Sequence, residues 1–325
     1  MKPKTLLQAI KYYSDEQTCI DTVASMRWAE GKPICPACEH DQHYYLKTQR
    51  RWKCKDCGKQ FSVKVNSVFE DSPIGLDKWL TALWMIVNCR NGVSSCEIAR
   101  SIGITQKSAW FVLHRLRAAL KDTEDGLVGG NGSIVEIDES FIGGKTKNMH
   151  KKRRIALEAM KSKGLKNETK TIVVGMLNRT KGKINAQVVQ DRGRTTMEKV
   201  IQANVRRGST IFTDDYAGYI GLPARFTHEV INKHLEGYVR GRVHTQGIEN
   251  FWSCLKRGLG GTYISVEPYH LFRYVDEQVF RFNNRKDADK KPISELQRFE
   301  TALSQIAGKR LTYAEVTGKV GETSD

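Results

Sequence analysis

The pattern of hydrophobic and polar positions changes near residue 130 of this chain. Upstream of that point, apolar residues recur every three or four positions, which is typical of amphipathic helices. This spacing predicts helices over residues 5–28, from about Leu76 to Val87, over Ser95–Ser101 and over Gln106–Leu120. Downstream, short alternating segments predict strands over Ser133–Asp138, Thr171–Leu177, Lys183–Val189, Ser209–Thr213 and His228–Ile231.

Helices are interleaved with the later strands and follow them. They are predicted over Thr195–Arg206, from about Gln246 to Arg257, and over residues 268–282 and 292–307. The order strand, strand, strand, helix, strand, helix predicts an α/β domain whose first strands pair with one another. The glycine-rich segment Gly126–Gly132 is the predicted boundary in front of that domain.

These patterns divide the chain into five regions. We predict an N-terminal helical lead (1–30), a small cysteine-containing module (31–66), a helix-turn-helix domain (72–125), an α/β domain (131–285) with a basic insertion (143–170), and a C-terminal helical tail (286–325). The last residues, Gly318–Asp325, are expected to be disordered.

The charge balance narrows the class of partner. The sequence carries 53 Lys and Arg against 36 Asp and Glu, a net charge of +17. Such an excess favours a polyanion such as nucleic acid, because binding releases condensed counterions; the alternative is simply a soluble basic protein. Neither a signal peptide nor an apolar run of membrane-spanning length is apparent, so a soluble, cytoplasmic protein is expected.

Two cysteine pairs form the most specific motif. Cys35 and Cys38 are followed, after 15 residues, by Cys54 and Cys57. Two Cys-x-x-Cys knuckles at this distance predict a tetrahedral zinc site, which is structural because four protein ligands close it. A redox dithiol and an iron–sulfur centre are weaker alternatives. The other cysteines are expected to pack in the core; they are Cys19, Cys89, Cys96 and Cys254.

Basic residues between the two knuckles point outward in this interpretation. Arg51 and Lys53 lie on the predicted strand that leads into Cys54. They suit a surface that faces DNA or another partner, and they equally suit a solvated rim, so the sequence leaves these possibilities open.

The segment from Ser95 to Leu116 has the organisation of a helix-turn-helix motif. Gly103 opens the turn and Thr105 is a natural N-cap for the second helix. The start of that helix would enter a major groove, which makes Gln106, Lys107 and Ser108 candidate DNA contacts, with Arg115 farther along. An ordinary pair of helices shares this pattern and remains the alternative.

Three acidic residues are candidates for chemistry. Asp138 and Asp214 are predicted to end strands, where active sites of α/β domains gather. Glu249 lies on an amphipathic helix, beside Ser253 and Lys256 on one polar stripe. Three converging carboxylates can hold two hard cations. Separately they could be a strand-end cap, the start of an Asx turn and half of a surface ion pair.

The second acid has an alternative in its neighbour. Asp214 directly follows an apolar strand and is preferred, and Asp215 is held in reserve. A nucleotide-hydrolase interpretation of Gly143–Thr146 is rejected, because a phosphate-binding loop needs glycine where Glu139 stands.

Taken together, these motifs resemble bacterial insertion-sequence transposases of the DDE class, in the group with an N-terminal zinc ribbon and a ribonuclease-H-like catalytic domain. The resemblance extends from the cysteine module to about residue 285. It rests on Asp138-Glu139-Ser140 with Gly143-Gly144-Lys145, Thr213-Asp214 with Tyr219, Asn232 and His234, Tyr238-Val239, His244-Thr245 through Ile248-Glu249 to Lys256-Arg257, Gly261-Thr262-Tyr263, and Arg273 through Arg285.

The resemblance implies a function and a set of ligands. An enzyme of this class binds terminal inverted repeats, cleaves DNA ends and joins their 3′-hydroxyls to target DNA, with two Mg²⁺ or Mn²⁺ ions held by Asp138, Asp214 and Glu249. Lys256 matches a position thought to contact DNA near the reacting phosphate, and Arg257 is a further candidate contact. A homodimer or larger assembly on DNA, and association with the bacterial nucleoid, are also expected.

The basic insertion is a separate candidate for DNA binding. It contains Lys151, Lys152, Arg153 and Arg154 in one run. Contact with DNA and a solvated charge run explain it equally well.

Two other functions remain open at this level. A non-catalytic regulator would use only the zinc ribbon and the helix-turn-helix, and it leaves the acidic trio without a role. A nuclease of the same fold would cut DNA without joining it.

Overall fold

The structure is a computed structural model that describes residues 2–28, 31–121, 127–144, 150–162, 170–232, 235, 237 and 239–318. Some predicted features therefore lie outside the described residues. They are the first residue of the boundary segment Gly126–Gly132, parts of the basic insertion (145–149 and 163–169), His234 and Tyr238 of the family resemblance, and residues 319–325 of the predicted disordered end.

The elements follow in chain order. The helices are α1 (Leu6–Tyr12), α2 (Glu16–Arg27), α3 (Leu76–Asn88), α4 (Ser95–Ile102), α5 (Gln106–Leu120), α6 (Lys151–Ser162), α7 (Arg194–Asn204), α8 (Gln246–Gly258), α9 (Leu271–Asn283), α10 (Glu295–Ser304) and α11 (Tyr313–Thr317). The strands are β1 (His43–Leu46), β2 (Arg51–Cys54), β3 (Gln60–Phe61), β4 (Val128–Gly129), β5 (Ile134–Ile142), β6 (Thr171–Asn178), β7 (Lys183–Val189), β8 (Val205–Arg206), β9 (Thr210–Asp214) and β10 (Thr227–Ile231).

The chain forms two compact units, residues 1–122 with 284–325 and residues 123–283. In the first unit, the stretch 5–28 is two helices and not the single helix that periodicity predicted. The side chain of Asp15 accepts a hydrogen bond from the backbone N–H of Thr18, so it caps a new helix and ends the first. The C-terminal segment packs in this unit, where the Trp84 and Phe299 rings lie 5.3 Å apart.

The segment predicted to form a helix-turn-helix contains two capped helices joined by a short turn, in the first unit. α4 begins with a capping box between Ser94 and Glu97, and Gly103 follows it with φ 63°. A left-handed backbone of this kind favours glycine. The Thr105 hydroxyl then accepts the N–H of Ser108 at the start of α5, as the predicted N-cap requires.

The second unit is built on a mixed five-stranded sheet in the order β10-β9-β5-β6-β7. β6 runs antiparallel to both its neighbours, whereas β9 runs parallel to β5 and β10. Both faces of the sheet are covered. Val135 and Ile137 pack with α7 on one face, and Val173 and Leu177 pack with α8 on the other. The α/β fold class is therefore confirmed, with a three-stranded cysteine module before it.

None of the helices in the described part of the chain is long and apolar enough to cross a membrane.

Candidate functional site

The four predicted zinc ligands come together in the first unit. The sulfur atoms of Cys35, Cys38, Cys54 and Cys57 all lie within 4.8 Å of one another, and two of the distances are 3.6 and 3.5 Å. A Zn–S bond of 2.3 Å in a tetrahedron requires sulfurs about 3.8 Å apart, so the cluster has the size that zinc needs. Gly58 supplies the positive φ, 69°, in the turn after the second knuckle.

The zinc ribbon presents two different faces. Arg51 and Lys53 are exposed on one side of β2, and Lys53 pairs across the sheet with the exposed Tyr44. Trp52 points to the other side, where its ring lies 5.4 Å from that of Trp28. The alternation of β2 therefore separates a basic outer face from an aromatic core.

The start of the second helix of the helix-turn-helix is accessible. Gln106 and Lys107 are exposed, and Ser108 is half-buried. The Gln106 amide donates to the Ser95 hydroxyl at 2.8 Å, and the Lys107 ammonium lies 5.1 Å from the centre of the Tyr313 ring. These contacts hold two of the predicted DNA-reading side chains at the helix N-terminus.

Arg115 does not belong with them. Its side chain is only 3 % exposed, it donates to the backbone oxygen of Glu70, and its guanidinium lies over the rings of Trp79 and Phe111. Burial lowers the pKa of Arg115. Its position on the inner side of α5 makes it a core residue, so its prediction as a DNA contact does not fit the structure.

Asp138 lies in the middle of a strand, which corrects the prediction that it ends one. β5 continues to Ile142 because it pairs with β6 over its whole length. On its other side β5 pairs with β9 only from Ile134 to Glu136. Extending that register by two residues puts Asp138 level with Asp214, the last residue of β9. Neighbours at one level of a parallel sheet point to the same face.

α8 brings the third acid to this face. Its apolar stripe is buried as predicted, and Ser253 and Lys256 are exposed on the polar stripe. Glu249 is half-buried in the first turn, and its Oε1 accepts from the Thr245 hydroxyl at 3.2 Å. One turn farther, the indole N–H of Trp252 donates to Oδ2 of Asp138 at 3.0 Å.

A glycine permits this close contact between the helix and the sheet. Gly175 of β6 pairs with Asp138, and a Cβ at Gly175 would lie 2.9 Å from the Trp252 ring. The missing side chain therefore leaves room for the indole beside the first acid.

The three carboxylates share a face but do not form a tight cluster. Among the described residues, the zinc-ribbon cysteines are the group of three or more His, Cys, Asp or Glu side chains whose ligand atoms all lie within 4.8 Å of one another. The three acids are not grouped at that distance. Oδ1 of Asp214 accepts the backbone N–H of Tyr216 at 3.2 Å, which is the Asx turn that the sequence left open. Asp215 is exposed beyond the strand end.

A buried tyrosine adjoins the acids from the opposite side of the sheet. The Tyr219 hydroxyl donates to Oε2 of Glu139 at 2.6 Å. Burial, and after it the Glu139 carboxylate, raise the pKa of Tyr219 well above its usual value, with smaller effects from Asp138 and Asp214. The hydrogen bond from Tyr219 to Glu139 ties the loop after β9 to β5.

Sequence reasoning missed Glu136, which the structure buries completely. Its Oε1 accepts from Nε of Arg179 at 2.7 Å, and its Oε2 accepts the backbone N–H of Ile248 at 2.9 Å. A charged residue amid the apolar positions of a central strand is costly unless it is paired, and that was the signal in the sequence.

The remaining basic candidates lie at the surface. Lys256 and Arg257 are exposed on α8, and Lys151, Lys152 and Arg154 are exposed on α6. The side chain of Arg153 lies outside the described part of the chain. No secondary structure was predicted for the insertion, but the structure shows that it contains helix α6.

Comparison with known families finds two matching regions in the chain. Residues 128–283 match the family model described as the ISXO2-like transposase domain. Residues 14–60 match the model described as the transposase zinc-ribbon domain. The first match contains the carboxylate face, the second contains all four zinc-ribbon cysteines, and together they cover more than half of the chain.

A curated relative matches across both regions. It is described as an uncharacterized protein in transposable element ISH50 of Halobacterium salinarum. The two sequences are 25% identical over 287 residues, which is 85% of this chain and 95% of the relative.

Proposed function

The chain belongs to the family of ISXO2-like transposases, and on that premise we propose that it cleaves the ends of its insertion sequence and joins them to target DNA. This proposal is supported by the register of β5 and β9, which sets Asp138 level with Asp214 when it is extended two residues beyond Glu136 and Phe212, and by the bond from Trp252 of the Glu249 helix to Asp138. A structural role alone does not require three acids on one face.

The donor atoms on this face suit magnesium. Carboxylate oxygens are the ligands that hard divalent cations prefer, and Asp138, Asp214 and Glu249 supply them from two strands and a helix. Two such ions, if held by these carboxylates, would supply positive charge to stabilise the attacking and the leaving oxygen of a phosphodiester.

Each acid is oriented by a neighbour of its own. The Trp252 indole holds Oδ2 of Asp138, the Thr245 hydroxyl holds Oε1 of Glu249, and the Tyr216 N–H holds Oδ1 of Asp214. Fixing carboxylates in advance lowers the cost of assembling a charged site around a phosphate. The exposed Lys256 ammonium, two turns along α8 from Glu249, would bind the DNA backbone next to the reacting bond.

Several basic surfaces would hold the DNA. They are the outer face of the zinc ribbon with Arg51 and Lys53, the start of α5 with Gln106, Lys107 and Ser108, the end of α8 with Arg257, and α6 with Lys151, Lys152 and Arg154. Terminal inverted repeats are the DNA that these surfaces would recognise. Because an insertion sequence has two ends, we propose that a homodimer or larger assembly acts on them together.

The assignment of the second acid is tested by a matched pair of variants. Asp214→Asn is expected to reduce cleavage of an end-bearing duplex by about a hundredfold or more, since it removes a charge that stabilises the transition state. Asp215→Asn is expected to retain cleavage within about threefold, because Asp215 is exposed beyond the strand. A gel assay of labelled product measures both. The reverse order of effects would assign the role to Asp215.

The contact of the helix-turn-helix with DNA is tested by salt dependence. Lys107→Ala removes one exposed ammonium at the start of α5, so the slope of log affinity against log salt is expected to become less steep by about one unit. Lys11→Ala, at an exposed position on α1, is the matched control and should leave the slope unchanged. Fluorescence anisotropy with a labelled terminal repeat gives both slopes. An unchanged slope for Lys107→Ala would place the DNA elsewhere.

A further inference from the structure

We propose that Glu136 and Arg179 are positioning residues that lock the start of α8 onto the sheet, and so hold Glu249 beside Asp138. The inference rests on the proposed function, because that function requires Glu249 to act together with Asp138 and Asp214. Neither residue touches the reacting atoms in this account. Both act through the helix that carries the third acid.

Glu136 replaces the missing cap of α8. Thr245 is the N-cap residue, yet its side chain makes no capping hydrogen bond. The Thr245 hydroxyl donates to Glu249 instead. The backbone N–H of Ile248, which an N-cap side chain ordinarily accepts, donates to Oε2 of Glu136. A carboxylate at a helix N-terminus is stabilised by the helix dipole. This one comes from a strand 112 residues away in the chain.

Gly247 makes the approach possible. A Cβ at Gly247 would lie 2.9 and 3.1 Å from the two carboxylate oxygens of Glu136, and 2.6 Å from Cδ2 of Leu177. The helix can therefore rest on the buried carboxylate only because the residue before Ile248 has no side chain.

Arg179 fixes the chain that enters the helix. Besides its bond to Glu136, its guanidinium donates to the backbone oxygen of Arg242 at 2.6 Å and to that of His244 at 2.7 Å. Its planar group also lies 5.0 Å from the centre of the Phe212 ring. One guanidinium therefore connects the buried acid to two carbonyl groups of the segment just before α8, which a lysine cannot do.

The contacts define the orientation of α8 because they occur at two points. At the first point, Glu136 accepts a hydrogen bond from Ile248, and at the second, Asp138 accepts one from Trp252. The two acids are two residues apart on β5, and their two partners are four residues apart on α8. Two residues of a strand advance about 6.7 Å and four residues of a helix about 6 Å, so the two spacings match. With both ends of one turn attached to β5, rotation of α8 about its axis is restricted, and Glu249 lies within that turn.

The test compares metal binding with folding. Glu136→Gln keeps the size of the side chain but removes the charge that faces Arg179 and the helix N-terminus. Mn²⁺ binding to the protein–DNA complex, followed by the electron paramagnetic resonance of free Mn²⁺, is expected to weaken by about tenfold or more, as found when groups that orient metal ligands are lost. Binding of the terminal repeat should be unchanged, because the altered carboxylate is buried, whereas the basic side chains proposed to hold the repeat are exposed.

Two further variants keep the test decisive. Arg179→Lys retains the charge beside Glu136 but loses the paired carbonyl contacts, and it should weaken Mn²⁺ binding in the same direction. Val135→Ala, which alters the neighbouring residue on the α7 face, controls for loss of stability and should leave Mn²⁺ affinity unchanged. Thermal unfolding is measured for all of them.

The outcomes separate this inference from the function it rests on. Wild-type affinity for Mn²⁺ in folded Glu136→Gln and Arg179→Lys would overturn the positioning role while leaving the transposase proposal intact. An equal loss of Mn²⁺ affinity in Val135→Ala would show that the effect comes from general destabilisation, and it would overturn the positioning role as well. A wild-type complex that binds no Mn²⁺ would overturn the proposed function and this inference with it.

Discussion

Replacement of Asp138 by asparagine is expected to lower the rate of DNA-end cleavage by about a thousandfold. Loss of a metal-holding carboxylate removes several kcal/mol of transition-state stabilisation, which corresponds to about three powers of ten in rate. The change removes one negative charge and little else. The amide oxygen of asparagine can still accept the Trp252 indole N–H, so the packing of α8 should persist. Single-turnover cleavage of a pre-bound terminal repeat measures the effect.

Controls separate loss of chemistry from loss of structure. The midpoint of thermal unfolding and the affinity for the terminal repeat should both match those of the unaltered protein. Asp289→Asn, at an exposed position in the other unit, makes the same chemical change and should cleave normally. Cleavage by Asp138→Asn at the normal rate would remove Asp138 from the catalytic set.

Replacement of Cys54 by serine is expected to abolish zinc binding and unfold the ribbon. Structural zinc in small modules contributes about 10–16 kcal/mol, which is far more than a three-stranded sheet of this size can replace by packing. Metal analysis should fall from one zinc per chain to none, since Cys54 is buried within the sulfur cluster. Hydrogen exchange over residues 34–61 should become fast, and affinity for the terminal repeat should fall.

A second cysteine variant provides the comparison. The prediction that Cys96 packs in the core was wrong, because its side chain is exposed on α4. It also lies outside the zinc cluster, so Cys96→Ser should retain zinc and slow exchange in the ribbon. If Cys54→Ser kept a full complement of zinc, the four-cysteine site would be wrong.

Local signals were sufficient for the elements with strong caps and clear periods. α5 has the predicted bounds, Gln106–Leu120, because Thr105 caps it and its apolar positions repeat regularly. β7 has the predicted bounds, Lys183–Val189, and its first five residues alternate between half-buried and buried. The zinc ligands followed from spacing alone, since two knuckles admit few other arrangements.

Features that depend on distant partners could not be predicted in this way. The length of β5 is set by β6, so Asp138 looked like a strand end until the pairing was known. Arg115 looked like a surface residue because nothing local reveals that it lies over Trp79. Glu136 bonds residues 43 and 112 positions away, and no periodicity in its own strand encodes those partners.

The candidate site was therefore found in part. Its three acids were predicted from their order and from family resemblance, and their grouping is supported by the extended register of β5 and β9 and by the contact of α8 with Asp138. The residues that orient them, Trp252 and Thr245, could not be identified from the sequence. Orientation arises from tertiary contacts, such as the 3.0 Å bond from Trp252 to Asp138.

Joining of DNA ends is the central claim, and one assay tests it most directly. The purified protein is incubated with Mg²⁺, a labelled duplex that carries the terminal repeat, and a supercoiled plasmid as target. We expect labelled ends covalently joined to the plasmid, dependent on Mg²⁺ and absent with Asp138→Asn. Cleaved ends without joined product would indicate a nuclease, and bound but intact ends would indicate a DNA-binding regulator; either result would contradict the transposase function.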